Sequence, residues 1–248
     1  MWRLAATLLA LATPVAADTI LSAEFTAPTT RYAHGILGDA VEWGTLRIEV
    51  GATVGQEGSL FNGKRSLTYE INLPEDRVFE DLEPRLWDIT GDGAPEVVVI
   101  LSHVDLGAAL VVMGLNADNR PVEIAATPHI GRTNRWLAPF AAADLDGDGD
   151  IEIAYIDRPH LAKTLRIWRY ADGDFREIAN IEGLTNHKIG QDFIQGGLRD
   201  CGDGPRLITA NANWTQIMET TLTKSQITSQ PIAPFTGPPS LAAALTCP

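Results

Sequence analysis

The sequence lacks the features that mark most nucleic-acid-binding proteins and many enzymes. It has 19 Lys and Arg against 32 Asp and Glu, for a formal charge of −13. That acidic balance argues against nucleic acid or an anionic membrane as a partner. Its histidines show no metal-site spacing, and no Gly-x-Ser-x-Gly elbow, phosphate loop or dinucleotide fingerprint occurs. No sustained helical period is present either, and Pro and Gly are spread throughout, which argues against long helices.

The only long apolar run lies at the N-terminus. Residues 1–17 have the organisation of a secretory signal peptide, with Arg3 at the start, an apolar core from Leu4 to Leu11 and small residues before Asp18. The run is too short to span a bilayer. We therefore expect cleavage after Ala17, no membrane span, and a secreted or periplasmic protein.

Cysteine is nearly absent, since the chain contains only Cys201 and Cys247. Two cysteines suit an exported protein in an oxidising compartment. A bridge between them would close a loop of about 46 residues and stabilise the fold by roughly 4 kcal/mol. It would also fix a tail rich in Pro, Gly and Ser. We predict this disulfide; two free thiols are the alternative.

Acidic residues, by contrast, are concentrated in one short stretch, 144–152. Carboxylates stand at positions 1, 3 and 5, a glycine at position 6 and a glutamate at position 9. Ca²⁺ prefers about six to eight oxygen ligands, and a glycine permits the sharp turn that would bring them together. We predict a Ca²⁺ site here, and its expected ligands are Asp144, Asp146, Asp148, the carbonyl of Asp150, and Glu152.

The spacing distinguishes this loop from an EF-hand. An EF-hand places its bidentate glutamate at the twelfth position and flanks the loop with helices. Here the twelfth position is Tyr155, and the flanking residues are apolar runs typical of strands. The loop is therefore expected between two strands. A solvated acidic turn without an ion is the alternative.

The same pattern occurs once more upstream, at 88–96, and leads into another apolar run. Thr90 replaces the second carboxylate, and the lower charge predicts weaker Ca²⁺ binding. The expected ligands of this second site are Asp88, Thr90, Asp92, Ala94 and Glu96.

Two further copies are degraded. The copy from Asp200 lacks one residue and carries Arg206 near the position of the last carboxylate, so we predict a turn without metal. A fainter copy begins at Gly38 and also runs into an expected strand. The Gly-Asp pairs of the four copies start at Gly38, Gly91, Gly147 and Gly202, with spacings of 53, 56 and 55 residues. Such regularity indicates an internal repeat.

Each repeat contains several short strands. After the loop at 88–96 we expect strands at 96–101, 108–114 and 122–126, and after the loop at 144–152 strands at 151–156, 164–170 and 175–181. Short antiparallel strands in repeats of this length predict an all-β fold, a small β-propeller of about four blades. A fifth blade is possible if strands near both termini combine, and a β-sandwich is the alternative. We expect one domain over 18–248, with repeats near 32–87, 88–143, 144–199 and 200–248.

The repeated acidic loop that runs into an apolar strand resembles the FG-GAP and VCBS repeats, which also form the propeller of integrin α subunits. The motif is specific at Asp144–Glu152, good at Asp88–Glu96 and weak at Gly38 and Asp200. The resemblance implies a calcium-stabilised propeller. A full integrin-type propeller has seven blades, which this chain is too short to supply. The family includes adhesion modules, lectin-like binders and propellers attached to enzymes, so the resemblance does not imply one activity.

Several cationic and aromatic residues lie upstream of the Gly-Asp pairs. In a ring they would converge near one end of the central channel, and such groups suit an anionic or sugar-like ligand. The predicted ligand-binding residues are His34, Arg85, Arg135, Trp136 and His187. The alternative is that each cation pairs with a surplus acid and that Trp136 belongs to the core. Arg158 and His160 follow the strongest loop, where a turn or a functional histidine is expected.

These observations favour a calcium-binding module that recognises a protein or a glycan. The alternative is a small propeller enzyme of the hydrolase type, with its site at the channel mouth around His34, Arg135 and His187. A converging set of His, Arg and acid in a polar pocket would favour the enzyme, whereas separate ion pairs would favour the module.

Overall fold

The computed structural model describes residues 19–51, 59–61, 64–224 and 226–247. The expected signal peptide and its cleavage site lie outside the described residues. The regular structure of the described part consists of strands in three antiparallel sheets, with one short helix near the C-terminus. This confirms the predicted all-β class. Among the described residues there is no helix of the length and apolarity that crossing a membrane requires.

The strands form four successive antiparallel units along the chain. The first unit has the spatial order β1-β2-β4-β3. Its strands are β1 (Ile20–Thr29), β2 (Glu42–Gly51), β3 (Ser59–Phe61) and β4 (Lys64–Asn72). A connecting strand, β5 (Arg77–Phe79), follows. The second unit pairs its strands in chain order, as β6 (Arg85–Trp87), β7 (Glu96–His103), β8 (Gly107–Leu115) and β9 (Pro121–Ala126).

The third unit is a separate four-stranded sheet in chain order, made of β10 (Leu137–Ala143), β11 (Glu152–Asp157), β12 (Thr164–Ala171) and β13 (Asp174–Glu182). In the fourth unit, both β14 and β15 pair with β16. Its strands are β14 (Leu184–Thr185), β15 (Gly197–Asp200), β16 (Pro205–Asn211), β17 (Gln216–Thr223) and β18 (Gln226–Pro234), and the helix α1 (Pro238–Ala244) follows. The expected strands at 96–101, 108–114 and 122–126, and those at 151–156, 164–170 and 175–181, each lie within two residues of the observed limits.

The first two units are not separate sheets, which the repeat pattern did not indicate. The short strand β5 pairs with β2 on one side and with β7 on the other, so one sheet contains nine strands. Phe79 is the residue of β5 that faces Trp43 of β2 and Leu101 of β7. β5 therefore pairs with backbone groups of both neighbours, which would otherwise be unpaired strand edges. Its side chains Val78 and Phe79 are buried.

The repeat corresponds to one recurring hairpin. Each of the four Gly-Asp loops connects two consecutive, paired strands of its unit: β1 to β2, β6 to β7, β10 to β11, and β15 to β16. The regular spacing in the sequence is therefore the spacing between successive units. This accounts for the fainter copy at Gly38, which joins the longest strands of the first unit.

Apolar residues pack between neighbouring units. Val98 and Ile100 of the second unit share a core with Trp136 and Ile153 of the third, and other residues of the third unit share a core with the fourth. The continuous apolar run of β7 is buried on both faces, as expected for a short run without alternation. A unit of this kind buries its faces only against its neighbours, which makes the repeats mutually dependent.

The first and fourth units meet through loops. The backbone N–H of Gly190 donates to the carbonyl of Ile36 at 3.1 Å. Gly38, with φ of +106°, approaches the same segment so closely that a Cβ atom would lie 3.3 Å from the carbonyl oxygen of Gly190. Glycine is suited to this position because it tolerates both the positive φ and the close approach. These loop contacts bring the two ends of the row of units together.

The predicted disulfide is confirmed. Cys201, in the loop between β15 and β16, is bonded to Cys247, and the two Cα atoms are 5.6 Å apart. Between them, Leu241 of α1 packs in a small core with Ile208 and Ile217 of the fourth unit. The bridge and this core together attach the C-terminal segment to the last sheet.

We expect the double variant Cys201→Ser/Cys247→Ser to lose roughly 4 kcal/mol of the free energy of unfolding, since the bridge restricts the unfolded chain. Chemical denaturation of wild type and variant, each with and without reductant, measures this loss. Reductant should destabilise the wild type and leave the variant unchanged. A wild-type midpoint that does not respond to complete reduction would contradict the prediction.

Candidate functional site

The acidic loop 144–152 is folded around its own carboxylates. Asp144 accepts the N–H groups of Gly147 (2.7 Å) and Asp148 (3.1 Å) at Oδ1 and that of Gly149 (3.0 Å) at Oδ2. Glu152 accepts the N–H of Leu145 at 2.8 Å. Gly149 has a φ of +97°, as the predicted turn requires. The first and ninth positions of the motif thus organise the loop backbone.

Three of the predicted ligands form a compact group of oxygens. Ligand atoms of Asp144, Asp146 and Glu152 lie within 4.8 Å of one another. Oδ1 of Asp146 is buried and has no hydrogen-bond partner among the described residues. An unpartnered buried carboxylate oxygen beside two further carboxylates fits a hard cation such as Ca²⁺. The side chain of Asp148, also predicted as a ligand, lies outside this group and is 43% exposed. Asp150 was predicted to bind through its carbonyl, and its side chain is 52% exposed.

A guanidinium lies in the same loop. Arg169 contacts Asp146 Oδ2 at 3.0 Å, Asp148 Oδ2 at 2.6 Å and Glu152 Oε1 at 2.6 Å. Burial acts to lower the pKa of Arg169, but hydrogen bonds and charge from Glu152 and Asp146 raise the pKa above its ordinary value. Burial raises the pKa of Glu152, opposed by the Leu145 N–H and Arg169. Sequence reasoning missed Arg169, although the β11–β12 hairpin places it directly opposite Glu152.

The loop 88–96 has the same internal geometry with fewer charges. Asp88 accepts the N–H groups of Gly91 (2.7 Å) and Gly93 (2.9 Å), and Glu96 accepts that of Ile89 (2.7 Å). The other three predicted ligands complete the loop through local hydrogen bonds: Thr90 Oγ1 donates to Glu96 Oε1 at 3.2 Å, and the N–H of Ala94 donates to Asp92 at 2.8 Å. Desolvation raises the pKa of Glu96.

The degraded loop at 200–206 contains a local ion pair. Arg206 contacts Asp203 Oδ2 at 3.3 Å, and the N–H of Gly202 donates to Asp200 at 2.8 Å. The arginine therefore brings a positive charge to the shortened loop, which was the reason for predicting a turn without metal.

The predicted ligand-binding residues converge in part. A cavity of about 200 Å³ lies where loops of the first, third and fourth units meet. Three predicted residues, His34, Arg135 and Trp136, line it. We call it the basic cavity; its wall consists of His34, Ile36, Asn134, Arg135, Trp136, Arg158, Pro159, His160, Leu161 and Ile189.

The other two predicted residues lie elsewhere. His187 is behind the wall, where its ring contacts that of Trp136 edge-on with centroids 5.0 Å apart. Arg85 lines a different cavity and binds the buried carboxylate of Asp81 at 2.6 Å and 3.0 Å. For Arg85 the alternative of a simple ion pair is therefore correct. Trp136 is both a core residue, at 2% exposure, and part of the cavity wall.

A buried carboxylate supports His34. Nδ1 of His34 is hydrogen-bonded to Oε1 of Glu80, whose other oxygen accepts a hydrogen bond from Ser102. The carbonyl of Glu80 also accepts the indole N–H of Trp136 at 2.8 Å. Burial raises the pKa of Glu80, while His34 acts to lower it. No motif surrounds Glu80 in the sequence, so its role follows only from the fold.

A second histidine on the wall belongs to a hydrogen-bonded chain. His187 Nε2 is 2.9 Å from the carbonyl of Gln191, and His187 Nδ1 is 3.1 Å from His160 Nε2. Because a carbonyl only accepts, we assign the proton of His187 to Nε2, and His160 then donates from Nε2. Burial, followed by the neighbouring His187, lowers the pKa of His160 to about 4. His160 is therefore neutral near pH 7, and its Nδ1 is an acceptor.

The wall of the basic cavity contains no carboxylate. Arg158 is neutralised by a two-bond contact with Asp157, at 2.7 Å and 2.9 Å. Arg135 donates to the carbonyl of Asn134 at 2.7 Å, and no ion pair involves it within the described part of the chain. The wall therefore carries a positive charge, that of Arg135, without an acidic partner among the described residues.

The cavity and the acidic loop lie at opposite ends of the same two strands. β10 runs from Leu137, next to Trp136, to Ala143, next to Asp144; β11 returns from Glu152 to Asp157. The loop therefore connects β10 and β11, and the opposite ends of these two strands lie next to Trp136 and Arg158.

Comparison with known proteins supports the repeat. Residues 88–155 match the FG-GAP-like repeat family. The chain thus carries an FG-GAP-like repeat that includes both well-formed acidic loops, which confirms the predicted resemblance over this stretch. The weaker copies at Gly38 and Asp200 lie outside the matched residues. The match therefore covers less of the chain than the predicted resemblance did.

No curated protein matches the chain. Among solved structures, the chain is similar to a protein from Lactobacillus plantarum determined by a structural genomics consortium, with 13% identity and a TM-score of 0.41. The similarity covers 77% of this chain and 51% of that one, so the chain spans about half the length of that protein.

Near the cavity, Glu42 is buried with 2% exposure. Burial, followed by the charges of Glu80, Asp39 and Asp81, raises its pKa to about 9 from a model-peptide value of 4.5. The folded protein thus holds a proton here that the unfolded chain releases. Stability from this proton is complete below pH 4.5 and is lost as pH rises toward 9.

We expect Glu42→Gln to remove this pH dependence, because glutamine is neutral at every pH. Between pH 5 and 8 the wild type should lose up to about 1.4 kcal/mol of unfolding free energy per pH unit relative to the variant. Urea titrations across this range measure the difference. Glu123→Gln, at an exposed position of β9, is the control and should follow the wild type. Parallel profiles for all three proteins would refute the prediction.

Proposed function

We propose that this chain is an extracytoplasmic binding module: a propeller-type scaffold with a ligand site in the basic cavity and structural Ca²⁺ in its acidic loops. The observation that carries the proposal is the meeting of His34 with Arg135 and Trp136, about a hundred residues later in the chain, on one cavity wall without a carboxylate. The disulfide supports an extracellular location, because such bonds persist in oxidising compartments.

The wall favours a ligand with an anionic group and an apolar face. Arg135 provides a positive charge without an acidic partner among the described residues, and His160 provides a neutral acceptor. Ile36, Trp136 and Leu161 provide apolar surface. A volume of about 200 Å³ suits one sugar ring or one side chain. An acidic sugar at the end of a glycan combines these properties, and an acidic side chain of a protein partner is the second form of ligand.

Calcium has a structural role in this proposal. FG-GAP-like repeats often bind Ca²⁺, and Asp144, Asp146 and Glu152 form a suitable oxygen group. Asp88, Asp92 and Glu96 are the corresponding acids of the other matched loop. A cation at 144–152 would reduce repulsion among carboxylates that join β10 to β11. It would thereby stabilise the strands that present Trp136 and Arg158 to the cavity.

Binding of galacturonic acid and galactose, followed by NMR titration, tests the ligand class. The acidic sugar should bind more tightly than the neutral one. Arg135→Ala should weaken its binding by about tenfold or more, since a hydrogen bond to a charged group contributes roughly 1.5–3 kcal/mol. Arg132→Ala is the matched control, because Arg132 is exposed and absent from the wall. Equal effects of both substitutions, or no binding of the acidic sugar, would contradict the proposal.

One observation favours the enzyme alternative. His34 faces the cavity with its ring oriented by the buried carboxylate of Glu80, an arrangement that serves a general base. In a hydrolase, His34 would take a proton from an attacking water.

Hydrolysis of p-nitrophenyl esters by wild type and His34→Gln distinguishes the two functions. Turnover that falls about a hundredfold or more in the variant would favour the enzyme. Equal background rates of ester hydrolysis in both proteins would rule out this enzyme and favour the binding module.

A further inference from the structure

Arg169 occupies the most acidic loop of the chain. The stretch 144–152 has five carboxylates in nine residues, and Arg169 contacts Asp146, Asp148 and Glu152 at 3.0 Å or less. It is also 3.8 Å from Asp150. The side chains of Asp146 and Glu152 are 4% and 0% exposed, and that of Arg169 is 18% exposed. Charges so shielded from water need a counter-charge in direct contact.

The position of Arg169 follows from strand pairing. Glu152 opens β11, and Arg169 is its direct partner on β12, so both side chains point to the same face of the sheet. In the second unit, Val97 pairs with Met113, and the next residue along β8 is Gly114. Gly114 therefore stands where the third unit has Arg169, and it has no side chain that could contact the acidic loop. Within the described residues, no ion pair joins an arginine or lysine to the acids of loop 88–96.

We infer that Arg169 is the resident counter-cation of loop 144–152: it holds the carboxylates together without metal and competes with Ca²⁺ for their oxygens. The first part stands without the proposed function, and the second rests on its calcium assignment. Arginine is suited to the task because its planar fork donates to several carboxylates at once and keeps its charge.

Competition follows from the oxygens that are already engaged. Of the acids in contact with Arg169, Asp146 gives Oδ2, Asp148 gives Oδ2 and Glu152 gives Oε1. Among the oxygens of these three acids, Oδ1 of Asp146 is the one that is buried and has no hydrogen-bond partner within the described residues. A divalent ion that drew on Asp146 and Glu152 would have to share or displace the guanidinium. The loop with the most carboxylates is thus weakened as a Ca²⁺ site by its own arginine.

Arg169→Met tests this inference in the full mature chain, because methionine keeps much of the aliphatic stem without the charge. Arg176→Met is the matched control: Arg176 is the exposed cross-strand partner of Arg169 on β13. Melting temperatures are measured in chelator, and Ca²⁺ affinity is measured by isothermal calorimetry.

In chelator, Arg169→Met should melt about 5–10 °C below both wild type and control, since removing one partner of a buried ion pair leaves uncompensated charge. Added Ca²⁺ should restore most of this loss. The variant should also bind Ca²⁺ at this loop at least tenfold more tightly than the wild type does.

Unchanged melting in chelator would overturn the role of Arg169 as counter-cation. If Arg169→Met shows the expected drop in melting temperature in chelator but no gain in Ca²⁺ affinity, Arg169 does not compete with Ca²⁺. That result would also count against the calcium assignment of this loop. It would leave the role of Arg169 as counter-cation intact. Arg169→Lys covers the case in which the methionine variant does not fold. Lysine keeps the positive charge but lacks the planar set of donors that contacts several carboxylates. Its stability in chelator should therefore lie between those of the wild type and the methionine variant. Stability equal to that of the wild type would contradict the inference.

Discussion

The hydrogen bonds that backbone N–H groups donate to carboxylates in the inter-strand loops are the interaction on which the architecture depends. In both matched loops the first aspartate accepts N–H groups from two glycines of the turn, and the ninth residue, a glutamate, accepts the N–H of the second. These bonds fold a short, charged segment into a fixed connection between paired strands. The acids must then be kept close together despite their mutual repulsion, and each loop needs its own solution to that electrostatic problem.

The chain shows different solutions in successive units. The loop at 88–96 has fewer carboxylates, and Thr90 satisfies one oxygen of Glu96 with a neutral hydroxyl. The loop at 144–152 has more carboxylates and receives Arg169 from the neighbouring strand. The loop at 200–206 uses Arg206 from within the loop itself. Loops that share one backbone motif therefore differ in what offsets their negative charge: a hydroxyl, an arginine from the next strand, or an arginine of the loop itself.

The basic cavity depends on the loops indirectly. β10 and β11 connect the acidic loop at one end to Trp136 and Arg158 at the other. His34 comes from the first unit, and its orientation is set by Glu80, at the end of the strand that joins the first two sheets. The merging of these sheets through β5 was unexpected, yet it places Glu80 beneath the cavity. The geometry of the basic cavity therefore follows from contacts between units rather than from any single repeat.

The sequence by itself determined what is local or periodic: the strand limits, the turn at Gly149, the spacing of the repeats and the Cys201–Cys247 bridge. Each depends on residues close together in the chain, on a regular period, or on there being only two cysteines. Only the tertiary structure decided which charges meet, because partners such as His34 with Glu80 are 46 residues apart and leave no pattern in the sequence. Arg85 is neutralised by Asp81, only four residues away in the chain, whereas Arg135 faces the cavity; the sequence showed an acid near Arg85 but not that the two side chains would meet. Strand pairing within a unit decides contacts such as Arg169 with Glu152, and packing between units decides contacts such as His34 with Glu80; neither can be read from one stretch of sequence.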